Sequence, residues 1–592
     1  MKLIIKLLSN NRQKMLELLL SVLLVFFYGC TTITQLEQNP SQNKSNEPKE
    51  IQWQTSYDKA IELAKAQNKP LMLVFYGVSS KRLDDNVFSS QDVIKLSQKF
   101  VNVKLGSGEG ELSRKYGIVD FPTVVFTDSR GGEYDRISGY KSASSFELVI
   151  SKALTPIDVE YNVRIDKSKN QAFVTCKMKN IRQKSLIMSL WEKSVKPAKI
   201  SFDSTDGTPT WKELEEPGAE NFWQMEFNTS SIKTATIQYQ VTLNVLSSMD
   251  YYPAYISYVG EKYGILDGHM LFLSPHNFNI NGKIKVMLDM PDGWEALTPW
   301  DEESSLTFSA DYIQDVVDSV FCIGQFQFIE RKINDRQVYA AYCGLKNIDS
   351  KLDEKADTVA QLFGDYMSRF GDFPFKKYIA IFSEQTPDGK YIHGTAHGSG
   401  FAGPIEMPLT FTLQFMAHEI FHIWNGRILK QKTQYEVWFK EGFTEYYGYI
   451  TPYRVGLYDR DQFADYLKNN YREYLQIYEL SRDIALARVN EKMAREEGHD
   501  HAVSISNFIM YRKGALVASL MDDEIKRITN GKKSLDDLIR YMLTEYRDKA
   551  YSSDDILDSV NAITNSDFTK FFSDFIYGKT KLPLPEKIDK KN

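Results

Sequence analysis

Within this 592-residue chain, the segment His418-Glu419-Ile420-Phe421-His422 leaves the least freedom of fold. Side chains at i and i+4 share a face in an α-helix, about one turn apart, so two imidazoles at this spacing converge on one ion when the segment is helical. Glu419, next to the first histidine, is placed to take a proton from a water at that ion without ligating it. Two histidines make half a site. Downstream, Trp438-Phe439-Lys440-Glu441-Gly442-Phe443-Thr444-Glu445 again reads as helix and supplies Glu441, with Glu445 one turn further on the same face. The set His418, His422 and Glu441 leaves a fourth position open for water, as in a catalytic rather than a structural zinc site, with one Zn2+ per chain. A lone histidine reads as a satisfied core residue, but the chain has only 8 His, so a chance coincidence of this pattern is rare.

Two segments carry a family resemblance. The first is His418 to His422 extended through Ile423-Trp424-Asn425 and followed by Glu441. The second is Tyr511-Arg512-Lys513-Gly514-Ala515-Leu516-Val517-Ala518, continuing through Asp523 to Gly531 and Lys533 to Arg540. Together they resemble the gluzincin zinc peptidases, in particular the glycyl aminopeptidase family, a sister of the alanyl aminopeptidase family, over residues 157 to 585. The resemblance implies zinc-dependent hydrolysis of peptide bonds, aminopeptidase-type, with Glu419 as general base and the Tyr511 hydroxyl as donor to the oxyanion. A phenol aimed at the oxygen that gains charge is physically suited to that task. Trp424, Asn425 and Glu445 lie where they can orient the ligands from behind, and plain core packing is an equal reading for Trp424.

Substrate contacts are expected on Gly394-Thr395-Ala396-His397-Gly398, which aligns with the strand that carries Gly-Ala-Met-Glu-Asn in the alanyl family. Gly394, Ala396, His397 and Gly398 are the substrate-binding candidates, since a glycine-rich edge strand can pair with an extended peptide. No carboxylate precedes Glu406, so the glutamate that grips a substrate α-amine in that family has no counterpart here unless Glu406 or an acid from the β-domain substitutes. Aminopeptidase and endopeptidase action therefore both stay open, as does a non-catalytic peptide-binding lipoprotein on the same scaffold.

Residues 51–155 alternate helical and strand patterns: helix over Tyr57 to Gln67, strand over Pro70 to Tyr76, helix over Gln91 to Lys99, strands over Val101 to Lys104 and Phe121 to Phe126. Such alternation predicts an α/β layer. Its order resembles thioredoxin, with Pro122 at the position of the cis-proline. Around Tyr76 to Ser80 both expected cysteines are missing, and without a thiolate there is no dithiol exchange. The unit is expected to be redox-inactive.

The whole is expected to be multidomain α+β. The signal peptide spans 1–29, a flexible tether 30–50, the thioredoxin-like domain 51–155 and a β-sandwich or saddle 156–345. A thermolysin-like catalytic domain spans 346–455 and a C-terminal helical domain 456–592. Lys2, Lys6, Arg12 and Lys14 precede the apolar run Leu18 to Tyr28, too short to span a bilayer and suited to a signal peptide. Gly29-Cys30 resembles a bacterial lipoprotein site, with Cys30 lipidated; ordinary signal cleavage and an uncleaved anchor are the alternatives. Lipidation would place the chain on a bacterial membrane, on its periplasmic or outer side, with peptides or proteins as substrates. A net charge of -6 and a pI near 5.9 provide no basic footprint for nucleic acid. Cys176, Cys322 and Cys343 remain, allowing at most one disulfide. Nothing in the sequence indicates the oligomeric state.

Overall fold

The computed structural model describes residues 49–585 apart from 68, 78–79, 107–109, 184, 191–196, 206–208, 215–220, 228–232, 247–253, 276–279, 281, 345–347, 393–397, 407–408, 482–483, 490–507 and 548. The expected signal peptide, Cys30 and most of the tether lie outside the described residues, as do Gly394, Ala396 and His397. Among the described residues no helix is long and apolar enough to cross a membrane.

The N-terminal layer has five strands in the order Trp53–Gln54, Val101–Gly106, Leu71–Tyr76, Thr123–Thr127 and Glu133–Ser138. The first three are parallel and the last two antiparallel. Leu71 to Phe75 are buried along the whole strand, because a central strand covered by helices on both faces must be apolar on both. Separate cores around Val74 and Phe75 fill the two faces. The Phe121-Pro122 bond is cis, at the expected proline.

The middle of the chain is sheet-rich. A seven-stranded sheet runs in the order Asp301–Ser304, Thr307–Ala310, Ile284–Asp289, Asp158–Asp166, Gln171–Ile181, Lys233–Thr242 and Ala198–Ser204. Asp158–Asp166 alternates buried Val159, Tyr161, Val163 and Ile165 with more exposed neighbours, the period-two pattern of a sheet with one covered face. Two four-stranded sheets flank its core. All three described cysteines are buried and unbridged, and Cys322 and Cys343 lie in one apolar cluster.

The hairpin Gln327–Ile333 and Arg336–Cys343 joins Lys377–Ser383 and Gly400–Pro404 in one sheet, on which the zinc-helix region packs. Alternation marks a strand locally, whereas the partner that completes its hydrogen bonds is set by tertiary packing. Helix Asp349–Phe370 covers this sheet, and Leu409–Phe421 carries His418 and ends just before His422. One continuous core then runs from this layer into helices Arg460–Ser481, Gly514–Ile528, Leu535–Glu545, Ser553–Thr564 and Thr569–Phe575.

Candidate active site

Helix Leu409–Phe421 and its C-terminal end place both imidazoles in a buried pocket, with His418 6% and His422 1% exposed. Immediately beyond, the backbone widens. Arg427 N–H donates to His422 O at 2.9 Å and Leu429 N–H to Trp424 O at 3.0 Å, both i to i+5 bonds. Trp438–Phe443, which carries Glu441, and Ile509–Lys513, which carries Tyr511, are π-helical as well. Such wide turns collect at functional sites because they re-aim a side chain that a regular helix would misplace.

His418, His422 and Glu441 meet as a group able to hold a metal ion. The two Nε2 atoms stand 3.1 Å apart, and Glu441 Oε2 lies 3.4 Å from His422 Nε2 and 3.7 Å from His418 Nε2. Ligands at about 2.0–2.1 Å in a tetrahedron around zinc are about 3.4 Å from one another, so the triad has the right size. The tautomers suit it too. His418 Nδ1–H donates to Glu445 Oε2 at 3.0 Å and His422 Nδ1–H to the carbonyl of Asn425 at 3.1 Å, which turns both Nε2 lone pairs toward the shared point. Burial pulls His418 down, but Glu441 and Glu445 outweigh it and raise its pKa to about 10. The pocket favours positive charge, which a bound cation supplies.

Glu445 lies behind His418, and further donors surround it. Gln414 Nε2 donates to Oε2 at 2.6 Å, while the Tyr449 hydroxyl and Arg512 Nη1 donate to Oε1 at 2.6 and 2.7 Å. Gln414 and Tyr449 were hidden in the sequence, although each stands one turn from a named residue, His418 and Glu445. Asn425 also orients the site: its Nδ2 donates to the carbonyls of Phe439 and Lys440 at 3.0 and 3.1 Å and to Thr444 Oγ1 at 3.2 Å, tying the end of the histidine helix to the turn that presents Glu441. Trp424 takes the core position of its two expected places. Its ring lies among Phe363, Tyr366, Phe370 and Phe373, and its indole N–H donates to Gly371 O, so it anchors the helix in the core and orients no ligand. An indole buries well on an apolar wall with its N–H satisfied.

Glu419 is 8% exposed, and its Oε2 has no hydrogen-bond partner. A carboxylate oxygen left unpaired beside a ligand pair is available to accept a proton. Tyr511 packs against His418 with ring centroids 5.9 Å apart. The charge of Glu441 and then burial push its phenol well above the ordinary value, so the hydroxyl stays protonated and able to donate. Two glycines set its distance: a Cβ on Gly442 would lie 2.5 Å from the Cα of Gly514, so the Glu441 and Tyr511 segments touch backbone to backbone.

Of the substrate candidates, Gly398 is described and buried. A Cβ there would sit 2.2 Å from the carbonyl oxygen of Asp318, so this glycine permits close packing against the β-domain. Gly400–Pro404 follows as the edge strand of its sheet, as expected, and Glu406 beyond it is exposed.

Comparison with known proteins agrees with this geometry. Residues 410–575 match the peptidase family M1 domain, residues 216–325 the peptidase M61 N-terminal domain and residues 57–154 the thioredoxin-like domain. The match to the M1 domain and the triad together support a zinc metallopeptidase. Among solved structures, an aminopeptidase N family protein from Idiomarina loihiensis superposes with a TM-score of 0.57 at 19% identity, covering 73% of this chain and 78% of that one. Native yeast LTA4 hydrolase gives 0.51 at 12% identity, covering 73% and 69%. An M1 zinc metallopeptidase mutant from Deinococcus radiodurans, bound to a Tyr-Ser-Ala substrate, gives 0.50 at 12%, covering 73% and 96%. No curated protein matches the chain.

Proposed function

We propose that the chain hydrolyses peptides as an aminopeptidase-type zinc peptidase, with His418, His422 and Glu441 holding the ion. The observation that carries this is the convergence of the two Nε2 lone pairs and Glu441 Oε2 beside the unpartnered oxygen of Glu419 and the protonated Tyr511. When bound, zinc lowers the pKa of a water to about 7 and polarises the scissile carbonyl. Glu419 accepts the proton from the attacking water and passes it to the leaving amine. Tyr511 donates a hydrogen bond to the carbonyl oxygen as that oxygen gains charge. Glu445 and the Asn425 carbonyl keep both imidazoles in the ligating tautomer. The Tyr-Ser-Ala substrate of the Deinococcus enzyme supports a short peptide in such a cleft.

Endopeptidase action is the second reading, favoured by the stretch Gly394 to Pro404, which holds no carboxylate to match the glutamate that grips the substrate amine in the alanyl family. Matched peptides with free and acetylated N-termini separate the two: loss of cleavage on acetylation supports aminopeptidase action, and equal cleavage supports the second reading. The central test is zinc content together with cleavage of a peptide library by the parental chain and by Glu419→Gln. We expect one zinc in both and cleavage in the parent alone. A parent that binds zinc and cuts nothing would turn the chain into a peptide-binding protein.

The apolar run Leu18 to Tyr28 and the Gly29-Cys30 pair support export and lipidation at Cys30, with the Gln- and Asn-rich stretch after it as tether. Fatty-acid labelling that persists in Cys30→Ala would sink this part of the proposal.

A further inference from the structure

The thioredoxin-like domain lacks its cysteines but not its contacts. Its turn between Thr123–Thr127 and Glu133–Ser138 is held by Asp128, whose Oδ1 accepts the backbone N–H groups of Arg130 and Gly132, both at 2.8 Å. From this turn Ser129 Oγ meets the Tyr312 hydroxyl at 3.3 Å, and the Arg130 guanidinium lies over the Tyr312 ring, 3.1 Å from its centre. Tyr312 opens the short helix Ile313–Val317 of the β-domain.

Behind Tyr312 lies a largely buried charge cluster around Asp318. Asp315 Oδ1 pairs with Arg427 Nη2 at 2.6 Å, and Asp318 Oδ2 pairs with Arg427 Nη1. Asp318 Oδ1 further accepts from Gln314 Nε2 at 2.6 Å and meets His269 Nε2 at 2.9 Å. Burial lowers the pKa of His269, but Asp267 and Asp318 prevail and raise it to about 10, so it stays cationic. Burial pushes the Asp315 carboxyl up, and Arg427 and then Arg130 pull it back, which puts the charge of the thioredoxin-like turn within electrical reach of the cluster.

This cluster reaches the metal site through Arg427 and the neighbouring edge strand through Asp318. Arg427 belongs to the wide turn after the histidine helix: its N–H donates to His422 O at 2.9 Å, and two residues earlier the Asn425 carbonyl accepts His422 Nδ1–H at 3.1 Å. The carbonyl of Asp318 packs on Gly398 and accepts the N–H of Ser399 at 3.4 Å, just before the edge strand Gly400–Pro404.

We propose that the 128–132 turn of the thioredoxin-like domain is a positioning element of the zinc centre, with Arg427 as the positioning residue through which Ser129 and Arg130, by way of Tyr312 and Asp315, hold the turn that orients His422. The domain's place in the molecule is thus that of a fixed buttress for the metal site. This rests on the zinc site proposed above.

The test uses the full chain and reads the rate of zinc loss to excess chelator, together with zinc stoichiometry and the thermal midpoint. Arg130→Ala removes an exposed side chain and should leave stoichiometry and midpoint unchanged while speeding zinc release about 2- to 30-fold, the range of coupling through packed networks. Arg427→Lys, which keeps the charge but loses the two-pronged grip, should speed release at least as much. The double variant should be no faster than Arg427→Lys alone, because the first change acts through the second. Should Arg427→Lys fail to fold, Asp315→Asn takes its place in the cycle. Release from Arg130→Ala at the parental rate overturns the proposal, as does an effect that multiplies independently with that of Arg427→Lys. A parent that binds zinc but cuts no peptide defeats the peptidase reading and leaves these rates to decide the buttress; a parent that binds no zinc defeats both.

Discussion

Replacing Glu445 by Gln isolates the contribution of a group that touches the ligand but not the metal. Four donors converge on its carboxylate: His418 Nδ1 at 3.0 Å, Gln414 Nε2 at 2.6 Å, the Tyr449 hydroxyl at 2.6 Å and Arg512 Nη1 at 2.7 Å. Burial pushes the carboxyl up, yet His418 and Arg512 hold it below the ordinary range, so the native group is an anion. The amide preserves the shape and offers one accepting oxygen instead of two. Whichever way it turns, its NH2 faces a pair of donors, while Arg512 retains Glu473 at 2.9 Å. Loss of the anion weakens the basicity of His418 as a ligand. Changes of this kind cost about 10- to 100-fold in metal affinity, or about 1.4–2.8 kcal/mol. Competition with a chelator of known affinity measures it directly, with Glu419→Gln as a neighbour that should hold zinc normally. A zinc Kd within about twofold of the parental value would refute the claim that Glu445 tunes the site through His418.

Three further outcomes are expected. Tyr511→Phe should keep zinc and lower kcat by about 10²–10³, the effect of removing one donor to an oxyanion, which steady-state kinetics on a cleaved peptide would reveal. Gly514→Ala should place a Cβ 2.7 Å from the Cα of Gly442; relief of that clash should destabilise the chain by about 1–3 kcal/mol and lower activity together with it, read by thermal unfolding and kcat. His269, raised to about 10 by Asp267 and Asp318 against its burial, should stabilise the fold fully below its unfolded pKa of about 6.5 and lose that contribution as pH climbs through 10. The parental thermal midpoint should therefore fall more between pH 7 and pH 10 than that of His269→Gln; parallel profiles would contradict the ion cluster.

The sequence by itself determined the parts whose chemistry depends on short spacing. His418 and His422 can share an ion only on a helix, Glu419 follows from its position beside them, and the buried run Leu71 to Phe75 could only be a central strand. Glu441 and Tyr511 were legible because their surrounding segments carry a family pattern. Tertiary structure decided what spacing does not encode. The hairpin 327–343 reads as two strands in either sheet, and only its pairing with Lys377–Ser383 assigns it to the catalytic layer. Trp424 sits in the middle of the zinc motif, yet it turns to the aromatic core, since one helix presents different faces to different neighbours. The approach of Gln414, His418 and Arg512 to Glu445, the touch of Gly442 on Gly514 and the reach from Arg130 to Arg427 join residues far apart in the chain. Such contacts have no local signature, because a hydrogen bond or a close backbone approach is set by the packing that brings its two sides together.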